Sequence, residues 1–446
     1  METKQKERCP AFSMAKVRPA HSKIKNAVIT EGEWYRKQAE GSFAYVRELR
    51  RYFHQNPEQV MKEEQTSRRI CKELDQMGIS YMIVPPYGVV GVIDGKLPGR
   101  TVALRADMDA LPIQELGNPP YKSQKDGCMH ACGHDCHMSM LLGAAKILSE
   151  NTDRLHGRVK LIFQEAEEIG EGALLMMKAG MLDDCSAIFG FHQSAEFPTG
   201  TFLMQEGDFT AANVIFVVNI TGGGGHGSQP HLSRDPVVAA SAMIQSLQTI
   251  VSRETDPEEM AVVTVGYINS STSRCNIITE GVEFGGTIRY RNSELKDVFE
   301  QDFYRILKNI GAAYEVNVEI EYHNVCIPVY NDPALTEFTR QVLEALAGKE
   351  QVNDRMKTAA AEDFAFYQQQ LPGMYFFMGS GDEEYTKPLH NPYYDIDEKA
   401  LIEGTAAYTK LAVDYLLSTK EQEYERKGKK LVETDCTEEE SDCRMS

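Results

Sequence analysis

Cysteines and histidines are concentrated in one short segment, residues 127–137, which reads Gly-Cys-Met-His-Ala-Cys-Gly-His-Asp-Cys-His. Thiolates and neutral imidazoles are ligands that zinc prefers, and a Cys-x-His pair can place both donors on one ion. Manganese, cobalt and nickel are also compatible with such a site. His134 and His137 fall where an apolar helix begins, so we expect them to support the ligands or to pack beside them.

The same segment could belong to a closed structural zinc site with four protein ligands. Such sites usually combine two paired clusters at regular spacing. The chain has no second cluster of the Cys-x-x-Cys type, which favours an open site with room for water or substrate.

Two adjacent carboxylates, Glu167 and Glu168, follow an apolar run at residues 159–163. Neighbouring side chains beyond the end of a strand point in different directions, so one can bind a metal while the other accepts a proton from water. This signal is weak when taken alone, because pairs of glutamates also mark the solvated starts of helices.

Position along the chain indicates a functional role for four side chains, Asp107, Glu168, His192 and His390. Asp107, Glu168 and His192 each follow a predicted strand, and open α/β sheets bind their ligands beyond the carboxyl ends of the strands. His390 lies in the sequence Pro-Leu-His-Asn-Pro, after a glycine-containing loop. The fold predicted from the whole chain must bring these positions together for any of them to act jointly.

Short β-rich runs alternate with helical stretches from residue 31 to residue 212, which predicts an α/β fold with a largely parallel sheet. Residues 213–326 follow the order strand, helix, two strands, helix, strand, which is typical of a ferredoxin-like α+β unit. Residues 327–420 return to the first unit, so the ferredoxin-like unit is predicted to be an insertion. Residues 1–30 are predicted to be an extension, and the acidic residues 421–446 a disordered tail.

Composition excludes several classes of partner. The chain has 446 residues with a formal net charge of -19, which disfavours both nucleic acid and anionic membrane surfaces. We found no apolar run long enough for a membrane span or a signal-peptide core, so we expect a cytoplasmic protein. Ten cysteines are too few for a disulfide scaffold in a chain of this length.

A series of segments resembles the zinc-dependent aminoacylase and carboxypeptidase superfamily. The most similar branch contains hippurate hydrolase, N-acetyldiaminopimelate deacetylase and the indole-acetyl-amino-acid hydrolases. The matching segments are residues 103–112 (Ala-Leu-Arg-Ala-Asp-Met-Asp-Ala-Leu-Pro), 128–137, 164–168, 190–192, 225–226 with 230–231, 286–289, 361–364 (Ala-Glu-Asp-Phe) and 389–392. The resemblance implies a metal-binding α/β domain interrupted by a lid that pairs two subunits.

The resemblance also implies a centre with two divalent metal ions per subunit, manganese or zinc foremost. The implied ligands are Cys128, His130, Glu168, His192 and His390. Glu167 is implied to take a proton from a metal-bridged water that attacks an amide carbonyl, and then to deliver the proton to the departing amine. Asp107 and Asp109 stand where other branches have His-x-Asp, and are implied to support the ligands.

Three residues of the lid are implied to bind substrate. His226 would reach across a homodimer to the developing oxyanion, and Asn276 and Arg289 would hold the substrate. The forked guanidinium of Arg289 suits a carboxylate.

Four positions depart from the family pattern. Glu165 stands where proline is common, Phe191 replaces an aliphatic residue, and Gln193 and Ser194 are atypical. We expect these residues to lie near the acyl pocket, so the identity of the acyl group stays open.

The prediction is therefore a metal-dependent amidohydrolase that cleaves N-acyl amino acids or closely related small amides. One alternative is a dipeptidase or carboxypeptidase with the same centre, although a free α-amino group would need an acidic recognition group. Another alternative is a non-catalytic metal-binding relative, which the complete set of implied residues disfavours.

Overall fold

The computed structural model describes residue 24, residues 27–354, residue 356 and residues 358–418. The predicted extension lies largely outside these residues, and the predicted acidic tail lies entirely outside them. Within the described part of the extension, Val28 N donates to Ser418 Oγ at 2.9 Å and Thr30 Oγ1 donates to Asp414 at 2.6 Å. Residues 27–30 are therefore held against the end of the described chain.

The strands are, in chain order, β1 (Ser80–Val84), β2 (Gly88–Asp94), β3 (Leu97–Asp107), β4 (His156–Gln164), β5 (Cys185–Pro198), β6 (Phe202–Leu203), β7 (Gly207–Asp208), β8 (Asn213–Thr221), β9 (Gly225–His226), β10 (Ala261–Ser270), β11 (Ile277–Ile278), β12 (Gly281–Tyr290), β13 (Asn317–Cys326), β14 (Tyr330–Asn331), β15 (Val352–Asn353) and β16 (Gly373–Gly381).

The helices are α1 (Glu33–Gln55), α2 (Glu64–Gln76), α3 (His134–Glu150), α4 (Gly172–Lys178), α5 (Pro236–Thr249), α6 (Leu295–Ala313), α7 (Pro333–Ala347), α8 (Phe364–Tyr367) and α9 (400–418). Among the helices of the described chain, none is both long and apolar enough to cross a membrane.

Eight strands form the larger sheet, in the order β1-β2-β4-β3-β5-β16-β6-β15. Strands β4, β3, β5 and β16 run parallel to one another, so their carboxyl ends meet at the same edge. All nine residues of β16 are buried, as expected for a central parallel strand with helices on both faces.

Two hydrophobic cores flank this sheet. Phe53 of α1, Leu141 of α3 and Leu411 of α9 belong to the core on one face. Met176 of α4 and Phe364 of α8 belong to the second core. Burial of one such side chain stabilises the fold by roughly 1.5–3 kcal/mol, so the two cores hold the strand ends in fixed positions.

The smaller sheet has four antiparallel strands in the order β10-β12-β8-β13. Alternate residues of β8 are buried, and Phe216 packs with Met243 of α5 and Phe303 of α6 in a separate core. Helix α5 begins after Asp235, whose carboxylate accepts a hydrogen bond from Val237 N at 2.9 Å.

The predicted fold class is confirmed: a mixed α/β structure with a parallel-rich sheet and a ferredoxin-like unit. The elements β8, α5, β10, β12, α6 and β13 follow the predicted order of strand, helix, two strands, helix, strand. The unit begins with β8 at Asn213 and ends with β13 at Cys326. The division of the chain into domains at these residues stays a proposal, and we call residues 213–326 the lid.

Candidate metal centre

Chemically active side chains meet at the carboxyl edge of the larger sheet. Strand β3 ends at Asp107, β4 ends at Gln164 just before the glutamate pair, and His192 lies in β5. Helix α3 begins beside them at His134. Parallel strands of an open α/β sheet present their ligands at this edge.

Gly133 allows the turn that starts α3. Its φ is 82°, in the left-handed region, and a Cβ at this position would lie 1.7 Å from Gln193 Nε2. A residue with a side chain would therefore be strained here and would displace Gln193. The turn places Cys132 and His134 on either side of Gly133, facing the strand ends.

Two groups of side chains with metal-ligand geometry share Cys132. Its Sγ lies 3.3 Å from His192 Nε2 and 3.3 Å from His390 Nε2, and His390 Nε2 lies 3.4 Å from Glu168 Oε1. Cys132, His134 and His192 form one group of three converging donors, and Cys132, Glu168 and His390 form the other. Two adjoining groups with a common thiol suit two metal ions better than one.

This geometry favours a ligand set that differs in part from the predicted one. Glu168, His192 and His390 come together as predicted, but Cys128 and His130 belong to none of the converging groups within the described residues. Cys132 and His134 take their places. The two Cys-x-His pairs have the same spacing, and only the second lies at the N-terminus of α3.

His130 instead lies buried in the protein interior. Burial lowers the pKa of its imidazole to about 3, so the ring is neutral. Cys128 lies in the preceding loop, where its backbone carbonyl accepts a hydrogen bond from Ser123 Oγ at 2.7 Å.

Hydrogen bonds orient the histidines and the glutamate of these two groups. His192 Nδ1 donates to Gln193 O at 2.6 Å, since a carbonyl oxygen can only accept. His134 Nδ1 lies 3.2 Å from Asp109 Oδ1, and the other oxygen of Asp109 accepts from Glu168 N at 3.0 Å. Asp109 therefore aligns two candidate ligands, which agrees with its predicted supporting role.

The donor set fits divalent metal ions. His134 Nε2 and Glu168 Oε1 are buried and meet only long contacts among the described residues, Asp107 Oδ2 at 3.7 Å and His390 Nε2 at 3.4 Å respectively. A thiolate, imidazoles and a carboxylate together suit zinc, manganese, cobalt or nickel. Buried polar atoms without a partner are costly, and a bound cation would satisfy both.

His137 takes a different position from His134. Its Nε2 accepts a hydrogen bond from Gln193 N at 3.0 Å, so its Nδ1 carries the proton and donates to Asp107 Oδ1 at 2.5 Å. Both ring nitrogens are hydrogen-bonded within the described residues, an arrangement compatible with the predicted supporting role of His137.

Glu167 lies in a short 3-10 turn, Glu167–Ile169, directly after β4. Ala166 precedes it in a left-handed conformation with φ 56°, and Ala166 N donates to Glu63 Oε1 at 3.1 Å. Glu63 is fully buried, and burial raises the pKa of its carboxyl group to about 7. Sequence analysis missed Glu63, which holds the turn that carries both Glu167 and Glu168.

Burial and the charges of Glu362 and Glu168 raise the pKa of Glu167 well above its usual range. Positive charge in the adjoining ligand groups would act in the opposite direction. Glu167 also accepts a long hydrogen bond of 3.4 Å from Asp363 N, and its carboxyl group converges with His134 and Glu168. Once ionised, a carboxyl group so placed is a strong proton acceptor beside the candidate ligands.

A buried arginine holds the acidic groups behind Glu167. Arg105 contacts Asp107 Oδ2 at 2.8 Å, Asp363 Oδ1 at 2.9 Å and Glu362 Oε1 at 3.1 Å. Glu362 is also hydrogen-bonded by Tyr375. The sequence segments that contain Arg105 and Glu362 match the family, but no role for these residues was predicted.

The implied substrate residues of the lid do not reach the ligand groups within the described chain. His226 pairs with Ile277 across β9 and β11, next to Asn276. His226 is exposed, and its Nδ1 accepts from Ser228 N at 3.1 Å. His226 and Asn276 therefore lie side by side at the surface.

Arg289 is half-buried near the end of β12 and makes no hydrogen bond or ion pair to another described residue. Burial lowers the pKa of its guanidinium group. The charges of Glu167 and Arg289 both act on the buried thiol of Cys326, where the lid joins the rest of the chain. Of the three lid residues, Arg289 is therefore the one that shares a neighbour, Cys326, with Glu167.

The four positions that depart from the family pattern are buried, and their expected place near the acyl pocket stays a prediction. Glu165, Phe191, Gln193 and Ser194 are all at most 1% exposed. Phe191 packs against Phe376 and Tyr408 in the core. These departures change internal packing and say little about the acyl group.

Metal binding at these side chains should release protons. Burial and the charge of Glu168 raise the pKa of the Cys132 thiol well above its usual range. Burial alone would lower the pKa of His134, but Asp107 and Asp109 raise it to about 10. Each group therefore carries a proton at neutral pH that a metal ion must displace.

We expect metal affinity to fall by about 100-fold or more for each unit of pH decrease below neutrality, because at least two protons return to the buried groups of the centre. His192 adds no proton, since burial keeps its pKa well below its usual range. Calorimetric zinc titrations in buffers with different ionisation enthalpies would count the released protons. Release of fewer than about one proton would contradict this pair of titrating ligands.

Similarity to known proteins extends over most of the chain. The model of peptidase family M20/M25/M40 matches residues 103–414. N-acetyl-L-cysteine deacetylase of Bacillus subtilis is 40% identical over 359 residues, which cover 80% of this chain and 85% of the relative. IAA-amino acid hydrolase ILR1-like 5 of Arabidopsis thaliana is 40% identical over 391 residues, which cover 85% of this chain and 88% of the relative.

A solved structure shares both the fold and the sequence pattern. The Bacillus subtilis YXEP protein, described as a dinuclear metal binding peptidase from the M20 family, superimposes with a TM-score of 0.74 at 33% identity. The match covers 85% of this chain and 99% of that protein.

Proposed function

The chain belongs to peptidase family M20/M25/M40 and is a metal-dependent amide hydrolase, and we propose that it cleaves N-acyl amino acids or closely related small amides. The observation that carries this proposal is the position of Glu167 beside two ligand groups that share Cys132. The proposed ligands are Cys132, His134, Glu168, His192 and His390. Two divalent ions per subunit, manganese or zinc foremost, would occupy these groups.

When bound, the ions would lower the pKa of a water molecule and polarise the amide carbonyl. Glu167 accepts the proton of that water as the water oxygen bonds to the carbonyl carbon. The C–N bond then breaks, and Glu167 returns the proton to the leaving nitrogen. The products are a carboxylic acid and an amine, which become carboxylate and ammonium when the acid proton passes to the amine, and Glu167 ends in its starting state.

The acidic side chains near Glu167 are already paired within the protein. This pairing favours an N-acyl substrate over a peptide with a free amino group. Glu362 and Asp363 are held by Arg105, and Asp363 also accepts a hydrogen bond from Ala173 N at 3.0 Å. These carboxylates are therefore not free to bind a substrate ammonium group. The guanidinium of Arg289, which makes no hydrogen bond or ion pair to another described residue, suits the carboxylate of the amino acid part.

A substrate panel tests this proposal. We expect amine release from some members of a set of N-acetyl, N-benzoyl, N-indolylacetyl and long-chain N-acyl amino acids after manganese or zinc is added. Unblocked dipeptides with the same C-terminal residue are the matched comparison. Faster cleavage of the dipeptides would favour the alternative, a dipeptidase or carboxypeptidase.

The exposed position of His226 supports a second part of the proposal, a homodimer in which the lid of one subunit supplies His226 to the other subunit. Mixing an inactive Glu167→Gln chain with an inactive His226→Ala chain should restore part of the activity, because each mixed dimer has one intact site. Sedimentation would measure the dimer. A fully active monomer would contradict this role of His226.

A further inference from the structure

All four polar groups of Gln193 contact residues around the candidate metal centre. Its carbonyl oxygen accepts from His192 Nδ1 at 2.6 Å, and its backbone N donates to His137 Nε2 at 3.0 Å. Its side-chain Nε2 donates to Cys132 O at 3.2 Å, and its Oε1 accepts from Ser380 Oγ at 2.5 Å. Gln193 is fully buried.

The side-chain amide has a single consistent orientation. Cys132 O can only accept a hydrogen bond, so the nitrogen of the Gln193 amide must face it. The oxygen then faces Ser380, whose hydroxyl can donate. A carboxylate at this position would still accept from Ser380 but would repel the carbonyl of Cys132.

Through its hydrogen bond to Cys132 O, Gln193 holds the turn that carries two proposed ligands, Cys132 and His134. Gly133 leaves space for the amide of Gln193, since any Cβ there would overlap it. The same residue fixes the ring of His192 through its own carbonyl. Gln193 thus joins β5 to the start of α3, and these two elements supply Cys132, His134 and His192.

We propose that Gln193 is a positioning residue that sets the metal affinity of the centre by holding the Cys132–His134 turn against His192. This inference rests on the ligand set of the proposed function. Residues that orient metal ligands typically change metal affinity by 10–100-fold when they are replaced. Gln193 is buried and is not among the proposed ligands, so its effect must appear in metal binding as well as in turnover.

The test compares Gln193→Leu, Gln193→Glu and the wild type in the full chain. Gln368→Leu is the matched control, because Gln368 is a buried glutamine whose Oε1 accepts from Tyr330 N outside this centre. Zinc affinity is measured by competition with a chromophoric chelator. The thiolate-to-cobalt absorption band after Co²⁺ titration reports whether Cys132 binds the ion.

We expect both Gln193 variants to bind zinc about 10–100-fold more weakly with a weaker thiolate band, and Gln368→Leu to bind like the wild type. If Gln193→Leu does not fold, Gln193→Glu decides the question. Zinc affinity of the folded Gln193 variants within about threefold of the wild type would overturn the inference while leaving the proposed function intact. Weak zinc binding by the wild type itself would instead remove the proposed centre, and this inference with it.

Discussion

Replacement of Cys132 by serine is expected to abolish hydrolysis and to weaken metal binding by more than about 100-fold, whereas Cys128→Ser should behave like the wild type. Loss of a residue that merely orients a ligand already costs about 10–100-fold in affinity. Cys132 belongs to both converging groups, so its loss affects both metal positions. Cys128 belongs to neither within the described residues.

The matched histidine pair extends this experiment. His134→Ala should lose metal, while His130→Ala should keep metal and lose folding stability, because His130 is buried. Metal content of the purified variants after dialysis, together with the thermal unfolding midpoint, separates the two effects. Loss of metal from Cys128→Ser and retention by Cys132→Ser would restore the ligand set that the sequence implied.

The sequence could not distinguish the two Cys-x-His pairs. Both have the same spacing, and they lie only four positions apart. The distinction is made by the backbone, since the left-handed Gly133 directs only the second pair toward the strand ends. A sequence signal was nevertheless present: the second pair contains a glycine directly before an apolar helix, as expected for a tight turn at a helix start.

The fold itself was predictable because its signals are local. Buried parallel strands are mostly apolar runs, as in β4 and β16. In the lid strands, buried residues alternate with more exposed ones, as in β8. Each pattern occupies a few consecutive residues and needs no knowledge of the partner strand. The glutamate pair was predictable for a similar reason, since it directly follows such a run.

The supporting residues were not predictable because their partners are distant in sequence. Glu63 holds Ala166, which lies 103 positions away, and Gln193 holds Cys132, which lies 61 positions away. Neither contact leaves a local pattern of hydrophobicity or charge. From the sequence, Gln193 was only an unusual residue expected near an acyl pocket, and no local pattern indicated its contact with Cys132.

Glu167→Gln is expected to lower the rate of hydrolysis by about 100- to 10,000-fold, the range typical of a general acid–base group, with two metal ions still bound. Glutamine has nearly the same shape as glutamate but cannot accept the proton. Glu167 is next to the ligand Glu168, but its carboxylate is not among the proposed ligands. The fall should therefore appear in kcat, with little change in metal affinity.

Glu165→Gln is the matched control, because it changes a neighbouring buried carboxyl group of the same segment. Glu165 accepts a hydrogen bond from Tyr87 N at 3.4 Å and is fully buried. We expect its variant to keep most of the activity, since its carboxyl group has no contact with the ligands in the described chain.

A Glu167→Gln enzyme with activity within about tenfold of the wild type would mean that another group accepts the proton. Loss of metal from that variant would instead mean that Glu167 is a ligand, and the roles of the two adjacent glutamates would have to be reconsidered.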